Sequence, residues 1–505
     1  MGNRSKHFLY NSVLSFMQQI VTMICGLILP QLILKIFGSS INGTISSITQ
    51  FLGFITLLQG GVGTVARIAF YKPLAANDKY GISVAYKTVS QFYKKFSVIF
   101  CVYLLLMSVL YPLIVKTGYN YGYVSTLVLV LGLASVFEYF FGQASQMLLY
   151  AAQKNYVYSA IQIVCTVAST IIGVYLVRAG ASIHIIKIAS ALIYTIRPIA
   201  LWLYVRRKFE IDDSCKPDKS LLSQRNAALV RHIAYYIHTS TDTVILSLFS
   251  NVLVVSVYTV HNYVIKSLTN LVTSILGNTE VVFGDMFARG EQATMDKQIP
   301  VYDLCTKILS GSCFTTCIIL ISRFVSLYTK GVRDIDYYQP IFATVLILSE
   351  AIYCMGITYQ NVYIAAGHIH KTEWIAVTEA IINVFLSYTM VSFFGIVGVA
   401  IGTVAAMTFK TVANIWYMRK NVYKMSLRFI ISSFILNIGI GAFLIYLFWT
   451  VLYFEIESYS AFFLLGGSIF VVVTLAYIVI NSIFYRDMMS DVLKLFTKKV
   501  KRSSL

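Results

Sequence analysis

The chain of 505 residues is too apolar, and carries too few charges, for a water-soluble protein. Hydrophobic residues make up 58% of it, charged residues 12%, and the mean hydropathy is +0.74, whereas soluble domains are about 45–50% apolar and about 25% charged. A soluble globular enzyme is thereby excluded. The net charge of +19 predicts no nucleic-acid partner, because basic cytoplasmic loops facing anionic lipid headgroups account for it.

Apolar runs of about 20 residues recur along the whole chain, and in hydrocarbon only helices or closed barrels satisfy every backbone polar group. The runs are continuous, which favours helices, so we predict an all-α polytopic membrane protein with about fourteen transmembrane helices. The first run is too long for a signal peptide and is read as a retained span. In chain order the predicted helices cover residues 8–36, 42–69, 96–115, 122–149, 155–177, 183–205, 229–249, 254–285, 302–328, 340–366, 373–393, 397–418, 429–453 and 460–484.

The lysines and arginines between the predicted helices fall mainly on one side of the membrane. That side, which includes both termini, holds 28 of the 40 basic residues. The opposite side holds five, namely Lys35, Lys116, Arg178, Lys330 and Arg333. Because cytoplasmic loops carry the excess of Lys and Arg, we expect both termini in the cytoplasm.

The chain also contains a weak internal repeat. An offset of 214 aligns the fourth predicted helix with the tenth, matching Gly142 with Gly356, Gln146 with Gln360, Ala151 with Ala365 and Ala152 with Ala366. An offset of 218 aligns AANDK at 75–79 with ATMDK at 293–297. An even repeat of six helices predicts two lobes related by a parallel repeat. The predicted divisions are an N-lobe at 1–205, a cytoplasmic linker at 206–228, a C-lobe at 229–420, and two further helices with a basic tail at 421–505.

Charged side chains interrupt the apolar runs, and an ionisable group deep in hydrocarbon usually faces a bundle interior or a wet cavity. Four cations are predicted to bind an anionic substrate such as a phosphate or pyrophosphate, namely Lys187, Arg197, Lys266 and Lys410. The alternative for each is an ion pair inside the membrane with Glu138, Asp242 or Glu350. Glu379 lies nearer a helix end, where a side chain can reach water or headgroups, and snorkelling or a structural pair is as good an interpretation of it as a functional role.

Four residues are candidates for coupling transport to an ion gradient, namely Asp242, His238, Glu138 and Glu350. Arg231, His238 and Asp242 lie at i, i+7 and i+11 of predicted helix seven and share one face. This stripe either relays a proton or forms an interhelical hydrogen-bond cluster. No cofactor is predicted beyond a coupling Na⁺ or H⁺, because the sequence has no P-loop, metal-ligand cluster or dinucleotide motif.

Several features together resemble the multidrug/oligosaccharidyl-lipid/polysaccharide flippases, and within them the Wzx-type polysaccharide biosynthesis proteins. They are the six-plus-six helices with a trailing pair, the basic mid-chain segment, STDTVILSLFSN at 240–251 and GIVGVAIGT at 395–403. The resemblance implies a flippase that moves undecaprenyl-pyrophosphate-linked oligosaccharides, such as O-antigen units, across the bacterial inner membrane by alternating access, coupled to a cation gradient. Asp242 matches an acidic position common in that family. Membrane lipids, a polysaccharide polymerase and chain-length machinery are the implied partners.

Three alternatives remain open at this stage. A lipid II flippase also has fourteen helices, but the arginine-rich first helix of that group is missing, since residues 8–34 carry no acid or base. Multidrug exporters of the superfamily typically have twelve helices and an acidic drug site. A polytopic glycan polymerase or ligase would be an enzyme, and it usually carries a large outer loop, whereas the longest here is about a dozen residues, at 329–340.

Overall fold

The computed structural model describes residues 3–59, 62–212, 214–222, 229–276, 279–451, 456 and 458–492. Within these residues every regular element is a helix. Ten stretches of the described chain are long and apolar enough to cross a membrane, and helices account for most of the described residues in each of the fourteen predicted segments. The predicted all-α polytopic fold is therefore confirmed.

The first half of the chain begins with a long bent helix. Its helices are α1 Asn3–Gly53, α2 Thr56–Gln59, α3 Val62–Ala75, α4 Lys79–Ile114, α5 Tyr121–Phe137, α6 Gln143–Ala151, α7 Asn155–Arg178 and α8 Ile183–Phe209. A π-helical turn at Glu138–Gly142 joins α5 to α6.

The second half repeats this pattern and adds two helices. Its helices are α9 Leu229–Phe249, α10 Val252–Leu276, α11 Thr279–Arg289, α12 Gln292–Tyr328, α13 Pro340–Met355, α14 Ile357–Ala365, α15 Glu373–Asn421, α16 Leu427–Val451 and α17 Tyr459–Phe484. A 3₁₀ turn at His370–Thr372 precedes α15.

Two of the helices are too long for one crossing and bend at a glycine. At 51 and 49 residues, α1 and α15 each exceed the roughly 17–25 residues of a membrane span. Gly38 (φ 82°) interrupts α1 and Gly395 (φ 56°) interrupts α15. Only glycine adopts positive φ readily, so each long helix supplies two of the predicted segments.

Two helices begin well before their predicted starts. The predictions began at residues 96 and 302, whereas α4 begins at Lys79 and α12 at Gln292. The Asp78 side chain caps α4 by accepting a hydrogen bond from the Gly81 amide. The apolar runs alone predicted only the part of each helix that crosses hydrocarbon.

The helix breaks recur along the chain at the spacing of the predicted repeat. Bounds 143–151 for α6 and 357–365 for α14 differ by 214 at both ends, and the break glycines Gly142 and Gly356 stand at equivalent points. The second alignment, at 218, is wrong: Asp78 caps α4, whereas its proposed equivalent Asp296 lies inside α12. The N-cap of α12 is Glu291, which lies 213 residues after Asp78, the N-cap of α4. This offset is close to the 214 that relates the two break glycines.

The fold divides into two compact units that differ from the predicted lobes. One comprises Met1–Val257 with Gly331–Ile335, and the other Tyr258–Lys330 with Asp336–Leu505. Helix α9 belongs to the first unit, where the Tyr236 hydroxyl donates to the Gln50 carbonyl. Lobe boundaries drawn from the repeat, and the linker at 206–228, stay predictions, because compactness and internal homology are separate criteria.

The described part of the predicted linker packs against α4. The Asp212 amide donates to Ser83 Oγ and the Asp218 amide donates to Thr88 Oγ1, while Leu222 is buried in the apolar core between α3 and α4. At the helix end, the hydrogen bond from Lys79 lowers the pKa of the exposed Glu210 carboxyl. The segment is thus anchored to the first unit.

Helices α16 and α17, predicted as an appendage, are fixed to α12. The Tyr477 hydroxyl donates to the Asn437 carbonyl and lies 3.0 Å from Thr315 Oγ1. The Asn437 and Asn481 side chains exchange hydrogen bonds. Hydrogen bonds between side-chain amides satisfy polar groups that no longer contact water, and they hold buried helices together. The basic tail from residue 493 lies outside the described residues.

Within the first unit, a loop residue caps the second half of α1. After the bend at Gly38, the Ser39 amide and hydroxyl each donate to one carboxylate oxygen of Asp334, both at 2.6 Å. Ser39 is fully buried, so its amide would otherwise be an unsatisfied helix terminus.

Asp334→Ala is therefore expected to lower the free energy of unfolding by about 1–2 kcal/mol, the usual cost of a lost N-cap. Thermal unfolding in detergent measures this loss. Lys330→Ala, in the same connection and exposed, is the matched control. Equal stability of the two variants would contradict the capping role.

Candidate anion site and coupling acids

Three of the four predicted substrate cations form ion pairs, two with an acid on another helical element and one with an acid on the other half of the same bent helix. They are Arg197 with Glu138, Lys266 with Glu350, and Lys410 with Glu379. The sequence had left substrate contact and intramembrane pairing open for each, and this structure contains the pairs. A charge removed from water is costly unless it is paired and hydrogen-bonded, which explains why each cation has an acid beside it.

Arg197 on α8 is held at several points. Its Nη2 lies 2.7 Å from Glu138 Oε2, its Nη1 donates to Gln162 Oε1, and the guanidinium lies 5.5 Å from the centre of the Tyr158 ring. Glu138 begins the π turn. Both charged side chains are mostly buried, at 16% and 13% exposure. The planar fork of arginine suits this simultaneous engagement of two acceptors.

Lys266 on α10 forms the most open of the pairs. Its Nζ lies 2.5 Å from Glu350 Oε1, and Thr269 Oγ1 donates to Glu350 Oε2 at 3.0 Å. The lysine side chain is 34% exposed, whereas the glutamate is 4% exposed. The carboxylate of this pair is therefore buried, whereas part of the lysine side chain is exposed.

Lys410 on α15 makes a looser pair with Glu379. Its Nζ lies 3.5 Å from Glu379 Oε2 and 5.3 Å from the centre of the Tyr353 ring. Glu379 is 1% exposed, so it does not reach water or headgroups, and the structure contains the other alternative left open for it, a structural pair. Lys410 lies within reach on the other half of the bent α15, which keeps the carboxylate inside the unit.

A fourth pair, between Asp303 and Lys307 on α12, was missed by the sequence analysis. Both side chains are 0% exposed. Lys307 Nζ donates to Asp303 (2.6 Å), to the Tyr359 hydroxyl (2.9 Å) and to Ser433 Oγ (2.7 Å), and lies 4.4 Å from the centre of the Phe434 ring. The i,i+4 spacing was the available signal, but the predicted helix began at residue 302 and put Asp303 at its very end.

The repeat relates two of the predicted cations. Arg197 and Lys410 are 213 residues apart, close to the offset that relates Gly142 and Gly356. A Cβ added at Gly142 would lie 2.8 Å from Pro198, the neighbour of Arg197. A Cβ added at Gly356 would lie 2.7 Å from Thr411, the neighbour of Lys410. In the first half, α8, which carries Arg197, thus packs against the break between α5 and α6. In the second half, α15, which carries Lys410, packs against the break between α13 and α14.

Gly142→Ala and Gly356→Ala are therefore both expected to cost about 1–3 kcal/mol of stability, the usual penalty for overpacking. Gly439→Ala is the control, because it lies in α16 with no atom within 4 Å of the added Cβ. Melting temperatures of the three purified variants give the comparison. A drop at Gly439 as large as at the break glycines would contradict the close-packing argument.

The remaining predicted site residues are less fully placed. Lys187 lies in the second turn of α8 and is partly exposed. Asp242 lies on α9 and is 5% exposed. The side chains of His238 and Arg231 lie outside the described residues, so the proposed proton stripe stays a prediction. Among the described residues, no group of three or more His, Cys, Asp or Glu side chains is arranged to hold a metal ion.

The four ion pairs differ in how much of the cationic side chain is exposed, and this limits whether each cation can contact an external ligand. Lys307 is sealed, Arg197 and Lys410 are mostly buried, and Lys266 is one third open. A sealed pair can only stabilise packing. An open ammonium backed by a carboxylate can accept an external anion through charge-assisted hydrogen bonds.

The fold is that of solved transporters and flippases. The lipid II flippase MurJ in its inward closed conformation superposes with a TM-score of 0.72 at 15% identity, covering 95% of this chain and 100% of that chain. An inward-facing multidrug resistance MATE family transporter of the MOP superfamily gives 0.63 at 14% identity, covering 81% and 97%. A MOP superfamily transporter from Pyrococcus furiosus, described as having a binding pocket of reverse polarity, gives 0.60 at 13% identity, covering 83% and 96%.

No protein-family model and no curated protein matches the sequence. At 13–15% identity the structural likeness establishes the fold alone. The chain is a multi-pass α-helical membrane protein with the fold of MOP superfamily transporters. The three structural neighbours named above are membrane transporters and flippases.

Proposed function

We propose that this protein is a flippase for lipid-linked oligosaccharides carried on undecaprenyl pyrophosphate. It acts in the bacterial inner membrane with both termini in the cytoplasm. The observation that carries the proposal is the open, carboxylate-backed ammonium of Lys266 within a fold shared with a named lipid flippase. An ammonium in this setting suits the phosphate groups of such a carrier lipid.

Coverage of the structural neighbours favours a flippase over a drug exporter. The lipid II flippase covers 95% of this chain, whereas the MATE family transporter covers 81% although nearly all of its own length is matched. The additional length is expected for a protein with a trailing helix pair such as α16 and α17. A drug-cation exporter would also need an acidic site, whereas the acids Glu138, Glu350 and Glu379 are all neutralised by cations here.

Energy for transport is proposed to come from a cation gradient. Asp242, His238, Glu138 and Glu350 are the coupling candidates from the sequence. Glu138 and Glu350 are engaged by Arg197 and Lys266 in this structure, so either acid must exchange its partner before it takes up Na⁺ or H⁺. A polysaccharide polymerase and chain-length machinery are the proposed downstream partners.

The lipid II flippase reading remains the second candidate, supported by coverage of the whole MurJ chain. Against it, residues 8–34 of α1 contain none of the arginines expected for that group. Rescue of a strain depleted of its own lipid II flippase would favour this second candidate over the oligosaccharide flippase.

Deletion of the gene is expected to abolish display of surface polysaccharide. The intact chain is expected to restore display, whereas Lys266→Ala and Asp242→Ala are not. Lys371→Ala, at an exposed position in a basic connection, serves as the control that keeps activity. Polysaccharide display that is unchanged by deletion would refute the proposal.

A further inference from the structure

We infer that the cavity between α3, α4 and the segment 218–221 binds a phospholipid whose headgroup carries a primary ammonium, such as phosphatidylethanolamine. The Lys72 ammonium donates to the lipid phosphate, and the Asp218 carboxylate accepts hydrogen bonds from the headgroup ammonium. All of the residues that line the cavity belong to the first compact unit, so the site is complete within it. The inference does not depend on the proposed flippase function.

The cavity lies where α3 and α4 meet the described part of the connection that follows α8. Its volume is about 460 Å³, within the roughly 300–1,000 Å³ of sites for small molecules. Lys72, Asp218 and Ser220 contribute charged or hydroxyl groups to its lining. One wall is apolar and is formed by Val65, Ile68, Ala69, Val84 and Leu221. The cavity therefore offers both an apolar surface and hydrogen-bonding groups to a single ligand.

The apolar and polar parts of the lining lie at different depths in the predicted topology. The apolar wall on α3 falls inside the predicted span 42–69, whereas Lys72 and the segment 218–221 lie in connections outside the predicted spans. Ile68 is 54% exposed, and Tyr80, which also lines the cavity, is 63% exposed. Tyrosine is enriched at the level of the lipid headgroups. A phospholipid has its groups in the same order, with acyl chains in the hydrocarbon and charges at the surface.

Lys72 and Asp218 bring opposite charges to one cavity. Among the residues that the structure describes, neither side chain forms an ion pair with the other or with any third residue. Hydrogen bonds from the Ser220 side chain and amide lower the pKa of the Asp218 carboxyl, so the carboxylate is ionised at neutral pH. A headgroup with one phosphate and one ammonium supplies a charge-assisted hydrogen bond to each residue.

The Asp218 carboxylate is held on the cavity wall by its own backbone. The Asp218 amide donates to Thr88 Oγ1 of α4 at 2.9 Å, and Leu222 is buried in the apolar core between α3 and α4. These contacts fix the segment 218–221 against α4 without a ligand. A site that is already ordered loses less entropy when a ligand binds.

The carboxylate distinguishes the ammonium lipid from other phospholipids. A primary ammonium has three N–H donors, as lysine does, whereas the quaternary ammonium of phosphatidylcholine has none. Phosphatidylglycerol has a net negative charge and no ammonium, so Asp218 repels it. Lys72, in contrast, contacts the phosphate that all three lipids share. The two residues are therefore expected to have separable effects on lipid binding.

The test uses the full-length protein in phosphatidylcholine vesicles that contain a small fraction of a phospholipid with a photoreactive diazirine on an acyl chain. After illumination, mass spectrometry of peptides measures the label on α3 and on the segment 218–221. We expect about threefold more label with phosphatidylethanolamine than with phosphatidylcholine, as for a partly exposed ion pair. Equal labelling by these two lipids, or stronger labelling by phosphatidylglycerol, would overturn the inference.

Two substitutions assign the headgroup contacts. Asp218→Asn keeps the amide that donates to Thr88, and it is expected to abolish the preference for phosphatidylethanolamine and to raise labelling by phosphatidylglycerol. Lys72→Gln is expected to lower labelling by phosphatidylethanolamine and phosphatidylcholine alike, by about threefold. A preference for phosphatidylethanolamine that persists in Asp218→Asn would contradict the proposed ammonium contact.

Asp212→Asn is the matched control. The Asp212 carboxylate lies in the same connection and accepts from the Ser214 amide as Asp218 does from Ser220, but Asp212 is not one of the described residues that line the cavity. The wild-type preference is therefore expected to remain. Loss of the preference in both variants would mean that the connection, and not the cavity, attracts the lipid.

Ala69→Phe tests whether the label enters the cavity. The added ring fills the space beside the apolar wall, so labelling of α3 is expected to fall and the preference among headgroups to disappear. Val84→Phe fills the cavity from α4 and provides the same test if Ala69→Phe does not fold, which melting temperatures in detergent show. Unchanged labelling of a folded variant would mean that the label reaches α3 from the surrounding bilayer, and the inference would fail.

Discussion

Lys307→Ala is expected to lower the free energy of unfolding by about 3–5 kcal/mol, the cost of leaving one member of a buried ion pair unpartnered. The Asp303 carboxylate would remain at 0% exposure with only neutral groups beside it. The Tyr359 hydroxyl and Ser433 would lose their donor as well. Because Lys307 joins α12 to α14 and α16, we expect the loss to loosen the trailing helix pair.

A double variant distinguishes loss of the pair from loss of volume. Asp303→Asn combined with Lys307→Met keeps the bulk of both side chains and removes both charges, and replacing a buried pair by apolar groups is often neutral or stabilising. Thermal unfolding of the wild type, the single variants Asp303→Asn and Lys307→Met, and the double variant forms a mutant cycle. If the double variant is less stable than either single variant, the buried-charge explanation is wrong.

The sequence predicted the membrane-crossing parts of the helices because continuous apolarity is a strong local signal. It did not predict the polar ends of α4 and α12. The residues before 96 are mixed in character, yet Ile82, Ala85, Tyr86 and Val89 are buried on one face of α4. That spacing, together with a capping aspartate at residue 78, was the signal that would have extended the helix.

The repeat was predictable from residues that the backbone requires. Gly142 and Gly356 matched at an offset of 214 because both lie at a helix break where a side chain would clash. The aspartate–lysine match at 218 had no such constraint and was wrong. A match between two residues is thus good evidence for a repeat where the backbone geometry allows only that residue type at both positions.

The ion pairs could be predicted as a class, but their partners could not. Arg197 with Glu138 and Lys266 with Glu350 fall among the partners considered, whereas Glu379 was placed near an interface. The apolar runs give approximate helix ends, and from these the distance of a residue from the nearer end can be estimated. Burial depends instead on which neighbouring helix packs over the residue. The bend at Gly395, which brings both halves of α15 together, is a tertiary feature that no local pattern contains.

Exchanging lysine and arginine at the two repeat-equivalent cations is expected to give unequal results. Arg197→Lys keeps the charge but cannot engage Glu138 and Gln162 with a planar fork or stack on Tyr158 in the same way. We expect transport, measured as surface polysaccharide display, to fall at least tenfold, equivalent to about 1.4 kcal/mol or more.

The reverse exchange, Lys410→Arg, is the matched control and is expected to keep transport within about threefold, or about 0.7 kcal/mol. Lys410 lies 3.5 Å from Glu379 and 5.3 Å from the centre of the Tyr353 ring, and it retains some exposure, so a guanidinium, which also stacks on aromatic rings, can replace the ammonium without losing a partner. Melting temperatures distinguish a transport defect from unfolding. Equal losses of transport in the two variants would contradict the argument from side-chain geometry. They would mean that the two cations are equivalent in function as well as in their place in the fold.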